Sequence, residues 1–298
     1  MKDRQLVKYI VFAFVIAWPI MILGSILGLR GNLVAFQLIT MLAMFAPAAA
    51  VLIARVPLRE IGWRPRIRGK NILIYLAAWL VPALLTLLGA SLFYALFPQA
   101  FSSEGAYLSA VSGMDTGVLL AQQGISLRAY LILSAVMSVV AAPFLNILPS
   151  LGEELGWRGV MYPRLRARFG DRLGRLIGGA IWGVWHWPLM LIAGYEYGLE
   201  YWGSPVLGPL LFCVISCAMG ILLDLAAEKS GSIWPAALGH GAINAVASLP
   251  MLFLDPAKAP DMTVGPTMVG VIGGLPMLIL ATVLFFRFGK KRERVEEA

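Results

Sequence analysis

The stretch "LILSAVMSVVAAPFLNILPSLGEELGWRGVMYPRLRAR", Leu131 to Arg168, joins two kinds of sequence that a soluble domain keeps apart. Its first part is an apolar run of the length a helix needs to cross a bilayer, about 20 residues. The run ends in two adjacent glutamates, Glu153 and Glu154, followed by Arg158. Apolar packing does not account for three charges at the edge of such a run.

The rest of the chain is of the same kind. Of 298 residues, 59% are hydrophobic and only 13% charged, where a soluble domain carries about 25% charged residues. Apolar runs recur at 6–29, 33–54, 71–97, 129–151, 176–193, 205–226, 233–254 and 268–288. This predicts an all-α polytopic membrane protein of about eight transmembrane helices. The first run follows Lys2 and Arg4 but is too long for a signal peptide and lacks an A-x-A cleavage site, so it reads as a retained helix. No repeat, low-complexity segment or soluble domain is evident. Residues 1–298 read as one transmembrane domain, and the motifs described below fall within about 129–254. The longest connection, 98–127, is polar and carries little charge.

The basic residues fix the orientation. With these eight spans, all but three of the 24 Lys and Arg fall on one side, counting the Lys290, Lys291, Arg292 and Arg294 of the tail. The exceptions are Arg30, Arg128 and Lys258. By the positive-inside rule both termini are cytoplasmic. The net charge of +8 therefore reflects topology and contact with the lipid bilayer, and nucleic acid is not an expected partner. Cys213 and Cys217, four apart in one apolar run, fit small packing residues and give no metal or disulfide motif. Glycine pairs four apart, such as Gly179 and Gly183, allow close helix approach.

Polar residues inside spans are costly and usually functional. On a helix, Glu154 and Arg158 are four apart and can pair. Glu153 points about 100° away, without that partner. "WGVWHWP" sets His186 inside the fifth span, and "GHGAINA" sets His240 and Asn244 four apart in the seventh. These are the two histidines of the chain. Taken singly, each has an ordinary explanation: a solvated ion pair, interhelical hydrogen bonds, or an aromatic belt of Trp182, Trp185 and Trp187. Taken together they suit acyl hydrolysis. A carboxylate and an imidazole can hold a water and take its proton, and an imidazole and an amide can donate to a developing oxyanion. No Ser or Cys nucleophile stands beside the set, which points to direct attack by water. Glu153, His186 and His240 could also hold a divalent metal with water in the fourth place. The missing H-E-x-x-H and the weak ligand Asn favour a site without metal or other cofactor.

The three motifs, Glu153-Glu154-Leu155-Gly156-Trp157-Arg158, then Trp182-Gly183-Val184-Trp185-His186, then His240-Gly241-Ala242-Ile243-Asn244, resemble the CPBP intramembrane endopeptidases, also called the type II CAAX prenyl endopeptidase or ABI family. The resemblance covers about 147–249, with Trp182 where the family pattern has Phe. It implies a helical bundle with an intramembrane catalytic cavity open to the cytosol and membrane. It implies that Glu153 and His186 activate water and that His240 and Asn244 line the oxyanion hole. Glu154 and Arg158 would brace the first motif or bind a substrate carboxylate, and Trp182 would form a wall. The expected partner is a membrane-anchored protein or peptide substrate, and the expected location a bacterial plasma membrane. A non-proteolytic immunity or scaffold protein remains a second reading. A proton-coupled transporter is a third, and the lack of a repeat counts against it.

Overall fold

The structure, a computed structural model, describes residues 2–289, so Lys290, Lys291, Arg292 and Arg294 of the basic tail lie outside the described residues. Among the described residues there are fifteen α-helices and no strand. Helix α1 (Lys2–Leu29) crosses in one piece, and α2 (Leu33–Ala43) with α3 (Ala46–Ile53) returns. Helix α4 (Asn71–Leu96) crosses again, and α5 (Ala106–Ser112) and α6 (Thr116–Gln122) occupy the long connection that follows. The next crossing is shared by α7 (Leu127–Val140), α8 (Ala142–Leu145), α9 (Ile147–Gly156) and α10 (Tyr162–Phe169). Then come α11 (Asp171–Trp185) with α12 (Trp187–Ala193), α13 (Leu207–Ser230), α14 (Trp234–Val246) and α15 (Val271–Phe288).

Seven of the eight expected crossings are helices long and apolar enough to span, counting α2 with α3, α11 with α12, and α14 with the 3₁₀ turn after it. The fourth is not a continuous helix. Pro143 and Pro149 each fall in the first turn of a new helix and divide the run at Ala141 and Asn146. A proline has no N–H for the preceding turn and clashes with it, so the chain restarts.

Contacts separate the connections into two ends, as the charge pattern requires. At one end Gly231 and Ser232 meet Gly62, Trp63 meets Trp234, Arg168 meets Asp3 and Arg172 donates to the Phe286 carbonyl. At the other, Phe101 pairs with Leu254, Tyr94 donates to the Pro250 carbonyl and Trp202 donates to Asp261. The first end holds the basic connections. Arg166 and Arg175 are not loop residues: they lie on α10 and α11 and pair with Asp224 and Glu228 of α13.

Small residues set the helix spacing around the motifs. A Cβ on Gly156 would run into Tyr9 of α1 and the side chain of Pro47 on α3. Gly179 and Gly183 face Cys217 and Cys213 on α13. The two cysteines are packing residues, and the Cys217 thiol donates to the Leu176 carbonyl at 3.4 Å.

Candidate active site

Glu153 and His186 start in different places in the sequence reading, one at a helix end and one deep in a span. The structure removes that difference. The helix carrying Glu153 does not stop there but continues through a π-helical turn, Trp157–Met161, into α10. The chain then reverses at Gly170, whose φ of 81° suits glycine. Glu153 lies 17 residues before Gly170 and His186 lies 16 after it. At about 1.5 Å per residue both sit some 25 Å up the two arms of one helical hairpin.

Each polar side chain of the first motif has named partners. The Trp157 and Trp182 indole N–H groups both donate to Glu153 Oε2, at 2.9 Å each. Glu153 is 2% exposed. As its position on the helix predicts, it does not share the Arg158 partner of Glu154; the two indoles hold Oε2, and Oε1 is left for other work. Trp157 was missed in the sequence reading, although it stands one turn after Glu153. Trp182 is a wall residue and also a donor, which the Phe of the family pattern cannot be. Trp182 and Trp185 are buried and do not form an interfacial belt.

Glu154 is fully buried and joins two motifs. Arg158 Nη1 donates to Glu154 Oε1 at 2.8 Å, as the four-residue spacing predicts. Nδ1 of His240 lies 2.9 Å from the same oxygen. The pair is single-pronged: Glu154 Oε2 and Arg158 Nε and Nη2 have no partner among the described residues. The guanidinium lies over two rings instead, its carbon 4.5 Å from the Trp182 centroid and 4.6 Å from that of Tyr162.

His186 sits at the break between α11 and α12, where Pro188 opens the new helix. Its Nδ1 donates to the Trp182 carbonyl at 2.9 Å, which leaves Nε2 without a proton in the neutral ring. Rings of Trp185 and Phe212 hold it at 4.9 and 5.0 Å. Trp182 stands between the two histidines, 6.0 Å from His186 and 5.3 Å from His240. The Trp185 indole donates to the Ala13 carbonyl and that of Trp18 to the Trp185 carbonyl, so α1 pins this break.

Trp182, His186, His240 and Asn244 line a cavity of about 110 Å³. Asn244 is exposed into it from one turn beyond His240. Glu153 and Glu154 lie behind Trp182 and His240, off the lining. The resemblance implies an opening at the basic end. Phe212, Met219 and Ile243 add apolar walls from α13 and α14, while Tyr195, Glu196 and Thr267 come from the connections at the opposite end, where a cavity of about 600 Å³ shares them. Among the described residues, no three His, Cys, Asp or Glu side chains are gathered as a metal-ligand group.

Glu196 is a lining residue that the sequence reading missed, since a lone Glu in a connection carries no motif. Its φ is 72°, uncommon for a residue with a side chain. Burial pushes its carboxyl up to about 7, against the hydrogen bond from Tyr195. A raised pKa means the folded protein binds this proton more tightly than the unfolded chain. The stability it confers is complete below the unfolded carboxyl range and is lost as pH rises through about 7. Thermal unfolding from pH 4.5 to 8 should show a decline that Glu196→Gln flattens; an unchanged slope in that variant would refute the assignment.

Residues 132–246 match the family model "Type II CAAX prenyl endopeptidase Rce1-like". A CAAX prenyl protease 2 from Methanococcus maripaludis is 30% identical over 102 residues, 34% of this chain and 37% of that protein. The chain thus spans little more than a third of the length of the curated relative it matches. The matched stretch contains all three motifs with their histidines and glutamates, so the core of this chain from 132 to 246 is similar to the type II CAAX prenyl endopeptidases.

Proposed function

We infer that the protein is an intramembrane endopeptidase that hydrolyses a peptide bond of a membrane-anchored protein or peptide, with water activated by Glu153 and His186. The observation that carries this reading is the meeting of three distant motifs around Trp182. Its indole donates to Glu153, and its ring lies against both histidines and under Arg158. The family match of 132–246 and the name of the relative support the same reaction class.

The parts divide the work as follows. Two indole donors hold the Glu153 carboxylate without neutralising it; in this reading Oε1 accepts the proton of an attacking water, which has to pass Trp182 from the cavity to reach it. The Trp182 carbonyl fixes His186 with Nε2 as the acceptor, ready to share that proton and pass it to the leaving amine. His240 is oriented by Glu154 through Nδ1. Donating from Nε2 to an oxyanion then needs the doubly protonated ring, whose charge Glu154 faces. Asn244 brings a neutral amide to the same cavity, which needs no such change. The cytoplasmic placement of both termini, from the positive-inside distribution, belongs to this reading.

The test is cleavage of a library of membrane-anchored peptides. Losing one oxyanion donor costs about 100- to 1000-fold in turnover. Asn244→Ala should fall by that much with KM nearly unchanged, because the contact strengthens in the transition state. Asn244→Asp should be at least as damaging. Full turnover by Asn244→Ala, with the parent inhibited by chelators, would replace this mechanism with a metal site at Glu153, His186 and His240.

A further inference from the structure

An apolar groove of about 430 Å³ runs between α4, α13, α14 and α15, away from the motif hairpin. Its walls extend from Leu73 to Leu85 on α4 and from Met277 to Phe288 on α15. At about 1.5 Å per residue these lengths are near 17 Å, close to the roughly 15 Å of one leaflet of a 30 Å hydrocarbon core. The floor is solid: Leu223, Met268 and Met277 are buried. One charged residue lines it, Lys229, at the basic end.

At that end the groove meets a second space of about 710 Å³, bordered by Lys70, Lys229 and Arg287. Asp171 and Glu228 border it too, but both face Arg166, and Glu228 also binds Arg175. Lys70, Lys229 and Arg287 form no ion pair with a carboxylate among the described residues. Lys229 Nζ lies 3.9 Å from the Phe288 ring centroid and the Arg287 guanidinium 5.4 Å from it, so two of the cations are held at the mouth.

We propose that this groove binds one anionic phospholipid of the leaflet at the basic end, with an acyl chain along α4 and α15 and the phosphate at Lys70, Lys229 and Arg287. A convex lipid-facing helix surface offers a chain only passing contact. Here four helices enclose the chain for the depth of one leaflet, and the three cations stand where its headgroup must be. Ile243 and Met268 line both this groove and the cavity of His186 and Asn244, so a bound chain would support one wall of that cavity.

Retention can be read by native mass spectrometry of the detergent-purified chain, supplied with phosphatidylglycerol or phosphatidylcholine of identical chains. Each cation near a membrane surface contributes roughly fivefold to the attraction of an anionic lipid. The parent should retain one phosphatidylglycerol with a preference of about 100-fold. The K70Q/K229Q/R287Q variant should lose the preference. Ala226 of α13 lines the groove, and Ala226→Phe, which fills the groove and leaves the cations in place, should lose retention of both lipids. Equal retention of the two lipids by the parent, or a preference that survives the triple substitution, overturns the proposal. So does displacement of phosphatidylglycerol by a neutral prenylated peptide, which would make the groove the seat of a substrate anchor.

Discussion

Glu153→Gln should reduce peptide hydrolysis by about 100- to 10,000-fold while leaving the fold intact. A positioned general base contributes about that range. The substitution is chosen because Gln keeps an acceptor oxygen for the two indole N–H groups that bind Glu153 Oε2. The burial and the hydrogen bonds survive, and the carboxylate's basicity does not. His186→Gln should cost a similar factor, and the double variant should be little worse than either single one, because residues that act as a unit are strongly non-additive. Trp182→Phe should give a smaller loss, by removing one of the two donors. Turnover above a tenth of the parent's in Glu153→Gln, with unfolding temperature unchanged, would remove Glu153 from the chemistry.

Much of this was legible in the sequence for a physical reason. A span must be long and apolar, and a charge within it must have a use. Length and hydropathy therefore gave seven of the eight crossings, and the distribution of Lys and Arg assigned connections to ends that the contacts reproduce. The fourth crossing is interrupted where apolar composition and backbone chemistry disagree. Residues 129–151 are apolar enough for one helix, but Pro143 and Pro149 restart the chain twice. The run of Trp157 to Phe169 looked like a basic connection, yet it is helical through a π turn and buries Arg158 to 3% exposure. Amphipathic helices with several arginines look like loops to a hydropathy window.

The site was legible where partners are local. Glu154 and Arg158 pair at four-residue spacing, and that spacing also offered Trp157 to Glu153. Partners from distant segments were not legible. Nothing in the sequence joins Glu154 to His240, 86 residues apart, or Trp182 to Glu153, 29 apart. Glu196 reaches the cavity through a backbone conformation that residue type does not announce.

Arg158→Ala should cost about 3–5 kcal/mol of stability, because it removes one partner of a buried ion pair and strands the other. Glu154 has no exposed surface on which to recover solvation, and after the substitution it retains only His240. The guanidinium also fills the space between Trp182 and Tyr162, so its loss leaves a gap beside the indole that holds Glu153. Arg158→Lys should fall between parent and Ala: an ammonium keeps the charge but is not the delocalised guanidinium that packs over two rings. Unfolding of purified variants in nanodiscs would measure both. Removing both charges separates structure from chemistry. A Glu154→Leu/Arg158→Met variant should recover much of the lost stability, since a buried pair can be exchanged for apolar packing at little cost. It should not recover hydrolysis, because His240 no longer has the carboxylate that orients its Nδ1. An Arg158→Ala protein that unfolds like the parent and shows only a raised KM would assign Arg158 to substrate binding in place of bracing.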